Sequence, residues 1–177
     1  MDDIRQYTEV NRRAWEEIAE VRARRPVWLN AAFFAQGGSI LDARVLDAAG
    51  SVRGRRLLHL QCATGEDTLS WAVAGAEVTG VDISQAQVAI AQRKAAEAGL
   101  SCRFVAADIY ALPGELQQAG FDLAYTGGGA LVWLPDLERW AAIVAAALQP
   151  GGQLILFEEH PIAACLWVTD GILHIQH

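Results

Sequence analysis

Residues 57–67 constrain the fold more than any other stretch of this chain. Their sequence, LLHLQCATGED, is an apolar run, Leu57–Leu60, followed by a tight turn and then by a helix signal. Thr64 and Asp67 have the spacing of a capping box, and Gly65 permits a backbone conformation that a side chain would penalise. A strand–turn–helix of this kind directs backbone N–H groups and a helix N-terminus towards a ligand.

A second apolar run, Val78–Val81, ends in Asp82, seventeen positions after Gly65. An acid at the tip of the second strand is where a Rossmann-like fold binds a ribose. The alternative role of Asp82 is to cap the helix that begins near Ser84. Both strand ends, the turn at Gly65 and the acid Asp82, have features of a nucleotide-binding Rossmann-like fold, and together they favour it more than either does alone.

Strand and helix signals alternate through the rest of the chain, which predicts parallel strands with right-handed crossovers. Ser84 and Gln87 form a capping box for a helix that reaches Ala98, with Gly99 just beyond its end. The predicted strands are 56–61, 77–82, 102–107, 121–126 and 153–158, and further helices are predicted at 66–74 and 135–148. We therefore expect an α/β fold with a Rossmann-like, doubly wound, mostly parallel sheet.

The two ends of the chain lie outside this core, which we place at residues 51–161. Residues 1–50 are expected to form an N-terminal helical appendage, with an amphipathic helix at 2–25 that Pro26 ends and a short helix around Asp42–Ala49. In the tail, residues 162–177, two apolar runs flank Asp170-Gly171, which predicts a β-hairpin.

Composition bounds the function classes. A chain of 177 residues with 53% hydrophobic and 20% charged residues is expected to form one globular domain. A formal charge of −7 disfavours nucleic acid and anionic membranes as partners, and there is no apolar stretch of about 20 residues to span a bilayer. Three scattered cysteines without metal-ligand spacing favour a reducing, cytoplasmic location.

Five blocks of the sequence resemble the class I S-adenosylmethionine-dependent methyltransferases, in the order and at the separations found in that superfamily. The blocks are LLHLQCATGEDTLSW, VTGVDIS, FVAADIY, FDLAYTGGGALVWLPDLERW and LQPGGQLILFEEHP. The resemblance runs from about residue 1 to residue 161. It implies S-adenosyl-L-methionine as cofactor, S-adenosyl-L-homocysteine as product and a small-molecule acceptor.

One departure concerns the turn after the first strand, which in this superfamily commonly reads Asp-x-Gly-x-Gly-x-Gly. The corresponding positions here are His59, Gln61, Ala63 and Gly65, so only the last glycine remains. A second departure is the C-terminal edge of the sheet, where the superfamily has two further strands. The hairpin is either a reduced substitute for that edge, or the chain is a fragment.

The resemblance also implies site residues. Asp82 would bind the ribose hydroxyls, Asp108 the adenine amino group, and Ile83 and Ile109 the faces of the ring. An ordinary loop acid is the alternative for Asp108, and a generic core residue for Ile83. The turn and the fourth strand would contribute Gln61, Cys62, Ala63, Gly65 and Thr126.

The N-terminal helix is expected to fold over the cofactor as a lid, with Tyr7, Asn11 and Trp15 on its inward face. The alternative is a packing helix whose Asn11 meets protein backbone. His160, at the tip of the fifth strand, is a candidate catalytic base or acceptor-orienting residue, although a lone histidine beside Pro161 is more often structural.

The leading hypothesis is a methyltransferase that acts on a small molecule. A noncatalytic S-adenosylmethionine-binding or interaction protein is the second, and a nicotinamide-binding Rossmann domain is a third that the later blocks disfavour. Without further strands, residues 154–158 would form an exposed apolar edge. We therefore expect the hairpin to pair with this edge in an antiparallel sense or to be exchanged between two copies, and we predict a homodimer that uses residues 162–177.

Overall fold

A parallel sheet lies at the centre of the computed structural model, which describes residues 2–24, 30–118, 120–160 and 162–175. Its strands are β1 Arg56–Leu60, β2 Glu77–Asp82, β3 Cys102–Ala106, β4 Phe121–Gly127 and β5 Leu148–Phe157. They are arranged in the order β3-β2-β1-β4-β5, and every neighbouring pair is parallel. The order reverses direction between β1 and β4, so that point is the topological switch where such sheets bind ligands.

Helices cover both faces of the sheet, which confirms the predicted doubly wound arrangement. The helices are α1 Asp2–Arg24, α2 Ala31–Ala35, α3 Ala43–Ala49, α4 Glu66–Val73, α5 Gln85–Ala98, α6 Gly114–Gln117 and α7 Leu137–Ala147. Neighbouring side chains of β1 point to opposite faces, so Leu57 packs with Trp71 of α4 and Leu58 with Trp140 of α7. All four side chains are 95% or more buried, and the sheet is therefore the wall between two cores.

Helix α5 begins as the sequence predicts, but only half of its capping box forms. The backbone N–H of Gln87 donates to the Ser84 hydroxyl over 3.1 Å, and Gly99 ends the helix in the left-handed conformation. The Gln87 side chain does not return to Ser84. Its amide donates instead to the main-chain carbonyl of Trp15 in α1.

The capping box predicted at Thr64 and Asp67 is wrong. Gly65 occupies the N-cap position of α4 with a φ of 84°, and no side chain caps the helix there. The Thr64 hydroxyl donates to Glu66, and Asp67 accepts a hydrogen bond from Tyr125 of β4. Neither side chain therefore accepts a hydrogen bond from a backbone N–H group at the start of α4.

Other differences from the sequence prediction are small. Helix α7 ends at Ala147 and β5 begins at Leu148, because Leu148 already pairs with Phe121 before an irregularity in the β4–β5 register. Helix α2 was not predicted, and the side chain of Asn30 caps it. The expected end of α1 at Pro26 lies outside the described residues.

The predicted hairpin is present as β6, Leu166–Thr169, and β7, Ile172–Ile175. Asp170 and Gly171 both have positive φ values, 52° and 76°, as a two-residue hairpin turn requires. The hairpin forms a separate two-stranded sheet, so the expected antiparallel pairing with β5 within the chain is not observed in the described residues. No helix in the described part of the chain is long and apolar enough to cross a membrane.

Candidate functional site

A cavity of about 990 Å³, which we call the strand-tip cleft, lies at the carboxyl ends of the strands. Residues at or just after the end of each of the five strands line it: Gln61, Asp82, Asp108, Gly127 and Glu159. Helix α1, helix α5 and the segment after β4 supply most of the other walls. The cleft therefore opens at the edge of the sheet that the topology marks for ligand binding.

Nine of the thirteen site residues named from the sequence line this cleft. They are Asn11, Trp15, Gln61, Cys62, Ala63, Asp82, Ile83, Asp108 and Ile109. Tyr7, Gly65, Thr126 and His160 are not part of the lining. The structure thus brings nine of the named residues together at one cleft and places the other four elsewhere, and the roles assigned to them stay predictions.

Each of the four outlying residues has a structural role or faces away. Tyr7 is 55% exposed, and Thr126 is fully buried with its hydroxyl 3.4 Å from the Gln61 amide oxygen. At Gly65 a Cβ atom would lie 2.7 Å from the Cβ of Ala91, so the absence of a side chain there allows α4 and α5 to pack. The Nδ1 atom of the exposed His160 accepts a hydrogen bond from the Ile162 backbone, and the geometry does not support catalysis by this residue.

The turn after β1 keeps a glycine-like backbone although two of the superfamily's glycines are replaced. Gln61 and Ala63 have φ values of 53° and 46°, in the left-handed region that side chains disfavour. Three hydrogen bonds hold this conformation: Cys62 N–H to the Val81 carbonyl, Gly65 N–H to the Cys62 carbonyl, and Ala63 N–H to the Asp82 carboxylate. Gln61 and Ala63 therefore adopt backbone conformations that are open to glycine.

Asp82 connects two elements of the cleft. Its Oδ2 atom accepts from the Ala63 N–H over 2.8 Å and its Oδ1 atom accepts from the Ser84 N–H over 2.9 Å. Burial raises the pKa of Asp82, and these two hydrogen bonds oppose that shift. A carboxylate has about four lone-pair sites, so Asp82 can bind a ligand hydroxyl while it fixes the turn.

Asp108 has a similar double capacity at the tip of β3. Its Oδ1 atom accepts from the Tyr110 N–H over 2.9 Å, and the residue remains partly accessible in the cleft. Ile109 is buried, and Ile83 is half-buried. The two isoleucines supply apolar surface beside the two acids, as an aromatic ring bound between them would require.

Helix α1 contacts both walls of the cleft. The Glu16 carboxylate accepts hydrogen bonds from the first two N–H groups of α5, over 2.8 and 3.2 Å. On the opposite side, the Asn11 amide donates to the Trp133 carbonyl, and the Trp15 and Trp133 rings meet edge to face. Asn11 thus lines the cleft and also meets protein backbone, which combines the two roles considered for it.

A polar cluster that contributes His59 and Asp67 to the lining of the cleft was not recognised from the sequence. His59 is 3% exposed, and its Nδ1 atom lies 2.7 Å from the hydroxyl of Thr68. Burial lowers the pKa of His59 to about 3, so the ring is neutral at physiological pH. Next to it, the Tyr125 hydroxyl donates to Asp67, whose pKa is raised by burial. The sequence signal for this cluster was His59 itself, which stands where the superfamily's turn motif commonly begins with aspartate.

A second missed feature is the buried ion pair between Lys94 and Glu66. The Lys94 ammonium, 6% exposed as a residue, donates to Glu66 and to the Thr64 carbonyl. Burial alone would raise the pKa of Glu66, but the attraction of Lys94 outweighs it and the pKa is lowered. A lysine on the same stripe of α5 as Gln87 and Ala91 was the sequence signal for this pair.

The cleft carries more acidic than basic side chains. Its lining includes five carboxylates, Glu66, Asp67, Asp82, Asp108 and Glu159, against three basic side chains, Arg22, Arg93 and Lys94. The resulting potential favours a ligand with positive charge. Cys62 adds no nucleophile, because burial raises the pKa of its thiol well above the ordinary value.

The profile of the methyltransferase domain family matches residues 57–152, just over half of the chain. The chain belongs to this family. It is therefore a member of the class I S-adenosylmethionine-dependent methyltransferase superfamily, as the five blocks indicated, and the cofactor of this methyltransferase domain is S-adenosylmethionine.

Three similar proteins illustrate the match. Demethylmenaquinone methyltransferase of Thermus thermophilus is 36% identical over 120 residues, which are 67% of this chain and 53% of that protein. Ubiquinone biosynthesis O-methyltransferase of Bordetella pertussis is 33% identical over 108 residues, 61% of this chain and 44% of that one. The chain thus spans about half the length of the curated relatives it matches. An S-adenosylmethionine-dependent methyltransferase from Mesorhizobium loti has a solved structure with a TM-score of 0.61 and 30% identity, covering 75% and 61% of the two chains.

The residues of the methyltransferase cleft fit this cofactor. Asp82 and Asp108, at the tips of β2 and β3, keep lone pairs that can accept hydrogen bonds from the hydroxyl and amino groups of the cofactor. The excess of carboxylates suits a sulfonium cation. A buried amide nitrogen of Gln61, which has no partner among the described residues, supplies a donor on the other side of β1.

Proposed function

We propose that this protein transfers a methyl group from S-adenosylmethionine to a small-molecule acceptor. The observation that carries the proposal is the convergence of Asp82 and Asp108, from neighbouring strands, on one cavity whose other end is lined by glycines and Trp133. One end of the cleft therefore offers acceptors for a nucleoside, and the other offers an apolar wall with open backbone for a second molecule.

Each side chain then has a defined task. Asp82 accepts from the ribose hydroxyls with the lone pairs that its two backbone bonds leave free, and Asp108 accepts from the adenine amino group. Ile83 and Ile109 pack against the adenine ring. The bound sulfonium supplies an already activated methyl group, so the protein's contribution is mainly positioning and exclusion of water.

Exclusion of water falls to α1 and to the segment that follows β4. Trp15 and Trp133, with ring centroids 5.3 Å apart, form an aromatic wall of the cleft. Glu158 holds that segment in place, because its carboxylate accepts from the Ala130 and Leu131 N–H groups over 3.0 and 3.1 Å. A dry cleft strengthens the electrostatic contacts that orient both substrates.

The acceptor site is proposed at the Gly127–Ala130 end of the cleft. Trp133 and Leu134 make this end apolar, and Glu159 contributes a carboxylate that can take a proton from a hydroxyl or amine acceptor. The two relatives above are named for demethylmenaquinone and ubiquinone, quinone-type molecules with an apolar body and a ring oxygen or carbon as acceptor. Such molecules are the first acceptor class to test.

The test is incubation with methyl-tritiated S-adenosylmethionine and a library of quinol, phenol and carboxylic acid acceptors. We expect labelled product and an equal amount of S-adenosylhomocysteine from the wild type, and far less from Asp108→Ala. Binding of the cofactor without product from any acceptor would contradict turnover and would instead favour the noncatalytic, cofactor-binding alternative.

A further inference from the structure

Gln61 combines two unfavourable features at the centre of the strand-tip cleft. Its φ of 53° lies in the left-handed region, which glycine adopts freely and glutamine does not. Its side-chain nitrogen, Nε2, is buried and has no hydrogen-bond partner among the described residues. Strained backbone and an unpaired buried donor in one residue are typical of a site that a ligand completes.

The position of the amide is fixed by β4. The Thr126 hydroxyl lies 3.4 Å from the Gln61 Oε1 atom and is itself fully buried. This contact occupies the oxygen of the amide and leaves the nitrogen as the group without a partner. Gln61 follows β1, and Thr126 belongs to β4, so the donor stands on the opposite side of β1 from Asp82 and Asp108.

We propose that the Gln61 Nε2 atom donates a hydrogen bond to the carboxylate of the amino-acid part of S-adenosylmethionine. The inference rests on the proposed function, because it assumes that the nucleoside part of the cofactor lies over β2 and β3. The amino-acid part then lies over β1 and β4. A carboxylate there needs a donor, and in a cleft with five acidic side chains a neutral amide provides one.

One of the three basic side chains of the lining forms an ion pair, and a second lies over an aromatic ring. Lys94 donates to Glu66 and to the Thr64 carbonyl, and the Arg22 guanidinium lies over the Trp15 ring, 5.7 Å from its centroid. Gln61 stands where the superfamily's turn commonly has a glycine, and its side chain adds a donor for the cofactor. It is a cofactor-positioning residue.

The test compares two ligands that differ only in the amino-acid part. S-adenosylhomocysteine carries the carboxylate and 5′-methylthioadenosine lacks it, and both are titrated calorimetrically into the wild type and Gln61→Met. Methionine has nearly the same length and the same backbone strain but no donor. We expect S-adenosylhomocysteine to bind about 10- to 100-fold more weakly to Gln61→Met, the usual loss for a hydrogen bond to a charged group, and methylthioadenosine to bind with less than about threefold change.

Three measurements separate this role from a structural one. Urea unfolding of the ligand-free proteins should show Gln61→Met to be close to the wild type in stability, because removal of the unpaired amide nitrogen offsets the loss of the acceptor of the Thr126 hydroxyl. Gln61→Glu should also weaken the binding of S-adenosylhomocysteine, since the new side-chain carboxylate would face the carboxylate of the ligand. Gln149→Met, whose amide bonds Asp122 outside the cleft, should leave both affinities unchanged.

The outcomes are distinct. Equal losses for the two ligands in Gln61→Met, or tighter binding of S-adenosylhomocysteine by Gln61→Glu, would overturn the assignment while leaving the proposed function intact. An unchanged affinity of Gln61→Met for S-adenosylhomocysteine would overturn it as well. A wild type that binds neither nucleoside would overturn the proposed function and this inference together.

Discussion

The side-chain amide of Asn11 donates a 2.7 Å hydrogen bond to the main-chain carbonyl of Trp133, 122 residues further along the chain. Trp15, one turn later on α1, packs its ring against the same Trp133. On the other side of the cleft, Glu16 caps the N-terminus of α5. Helix α1 is thereby fastened to both walls, and release of either contact should open the cleft.

The first prediction concerns the contact between α1 and α5. Glu16→Ala removes both acceptors and the negative charge from the N-terminus of α5, which should cost about 1–2 kcal/mol of unfolding free energy. It should also weaken the binding of S-adenosylhomocysteine about three- to tenfold, because the lid over the cleft is loosened. Calorimetry and urea unfolding check both values. Glu17→Ala, an exposed neighbour on the same helix, is the matched control, and equal behaviour of the two variants would show that α1 is not a lid.

The second prediction concerns His59 and acid stability. Its pKa is lowered by burial to about 3 in the folded state, against 6.5 ordinarily, so protonation favours the unfolded chain. The stability that neutral His59 contributes is complete above pH 6.5 and is lost as the pH falls from there towards 3. Between pH 7 and pH 5 this loss should amount to about 2 kcal/mol.

Urea unfolding of His59→Gln at both pH values tests this expectation. The variant should be less stable than the wild type at pH 7, because Thr68 loses a partner, but it should lose about 2 kcal/mol less on going to pH 5. His174→Gln, in the exposed hairpin, should follow the wild type. If all three proteins lose the same stability between these pH values, burial does not lower the pKa of His59 in the folded protein.

The third prediction separates the two roles of Asp82. In Asp82→Asn one of the two backbone N–H groups would face an amide NH₂ instead of an oxygen, which should lower the unfolding free energy by about 1–3 kcal/mol. Loss of the charged acceptor for the ribose should weaken the binding free energy of S-adenosylhomocysteine by about 1.5–3 kcal/mol.

Asp136→Asn is a suitable control for Asp82. Asp136 also accepts a backbone N–H at a helix start, that of Arg139 over 2.8 Å, but it does not line the cleft. The Asp136→Asn variant should therefore be less stable than the wild type but should keep its affinity for S-adenosylhomocysteine. An Asp82→Asn protein that is folded and binds as tightly as the wild type would remove Asp82 from the site.

The fourth prediction is self-association through the tail. Leu154 and Leu156 of the edge strand β5 are 40% and 45% exposed, and all eight residues of β6 and β7 are exposed. An apolar edge strand with open backbone groups tends to pair with another chain. We expect light scattering to show a dimer for residues 1–177 and loss of the dimer or lower solubility for residues 1–160. A monomeric full chain with an equally soluble shortened form would refute this interface.

Local signals predicted most of the fold. The strand tips, the Ser84 cap and the Asp170-Gly171 turn depend on residues close together in sequence, and they were placed correctly. The error at Thr64 and Asp67 arose because two distant residues set the partners of these side chains. Lys94 of α5 holds Glu66, to which the Thr64 hydroxyl donates, and Tyr125 of β4 donates to Asp67. No local pattern contains that information.

The sequence named residues at single strand ends that the structure brings together at the cleft, but their roles stay predictions. Contacts that depend on packing between elements were missed, such as that of His59 with Thr68, which requires a strand to be brought against a helix. The left-handed backbone at Ala63 was also not evident, because three hydrogen bonds, rather than the residue type, impose it. A cytoplasmic location stays a prediction.

The most direct test of the central claim is calorimetric titration of the wild-type chain with S-adenosylhomocysteine, with NAD as the comparison ligand. We predict saturable binding of one S-adenosylhomocysteine per chain and no binding of NAD under the same conditions. Absence of S-adenosylhomocysteine binding at millimolar concentration to a folded sample, or preferential binding of NAD, would contradict the assignment of the strand-tip cleft.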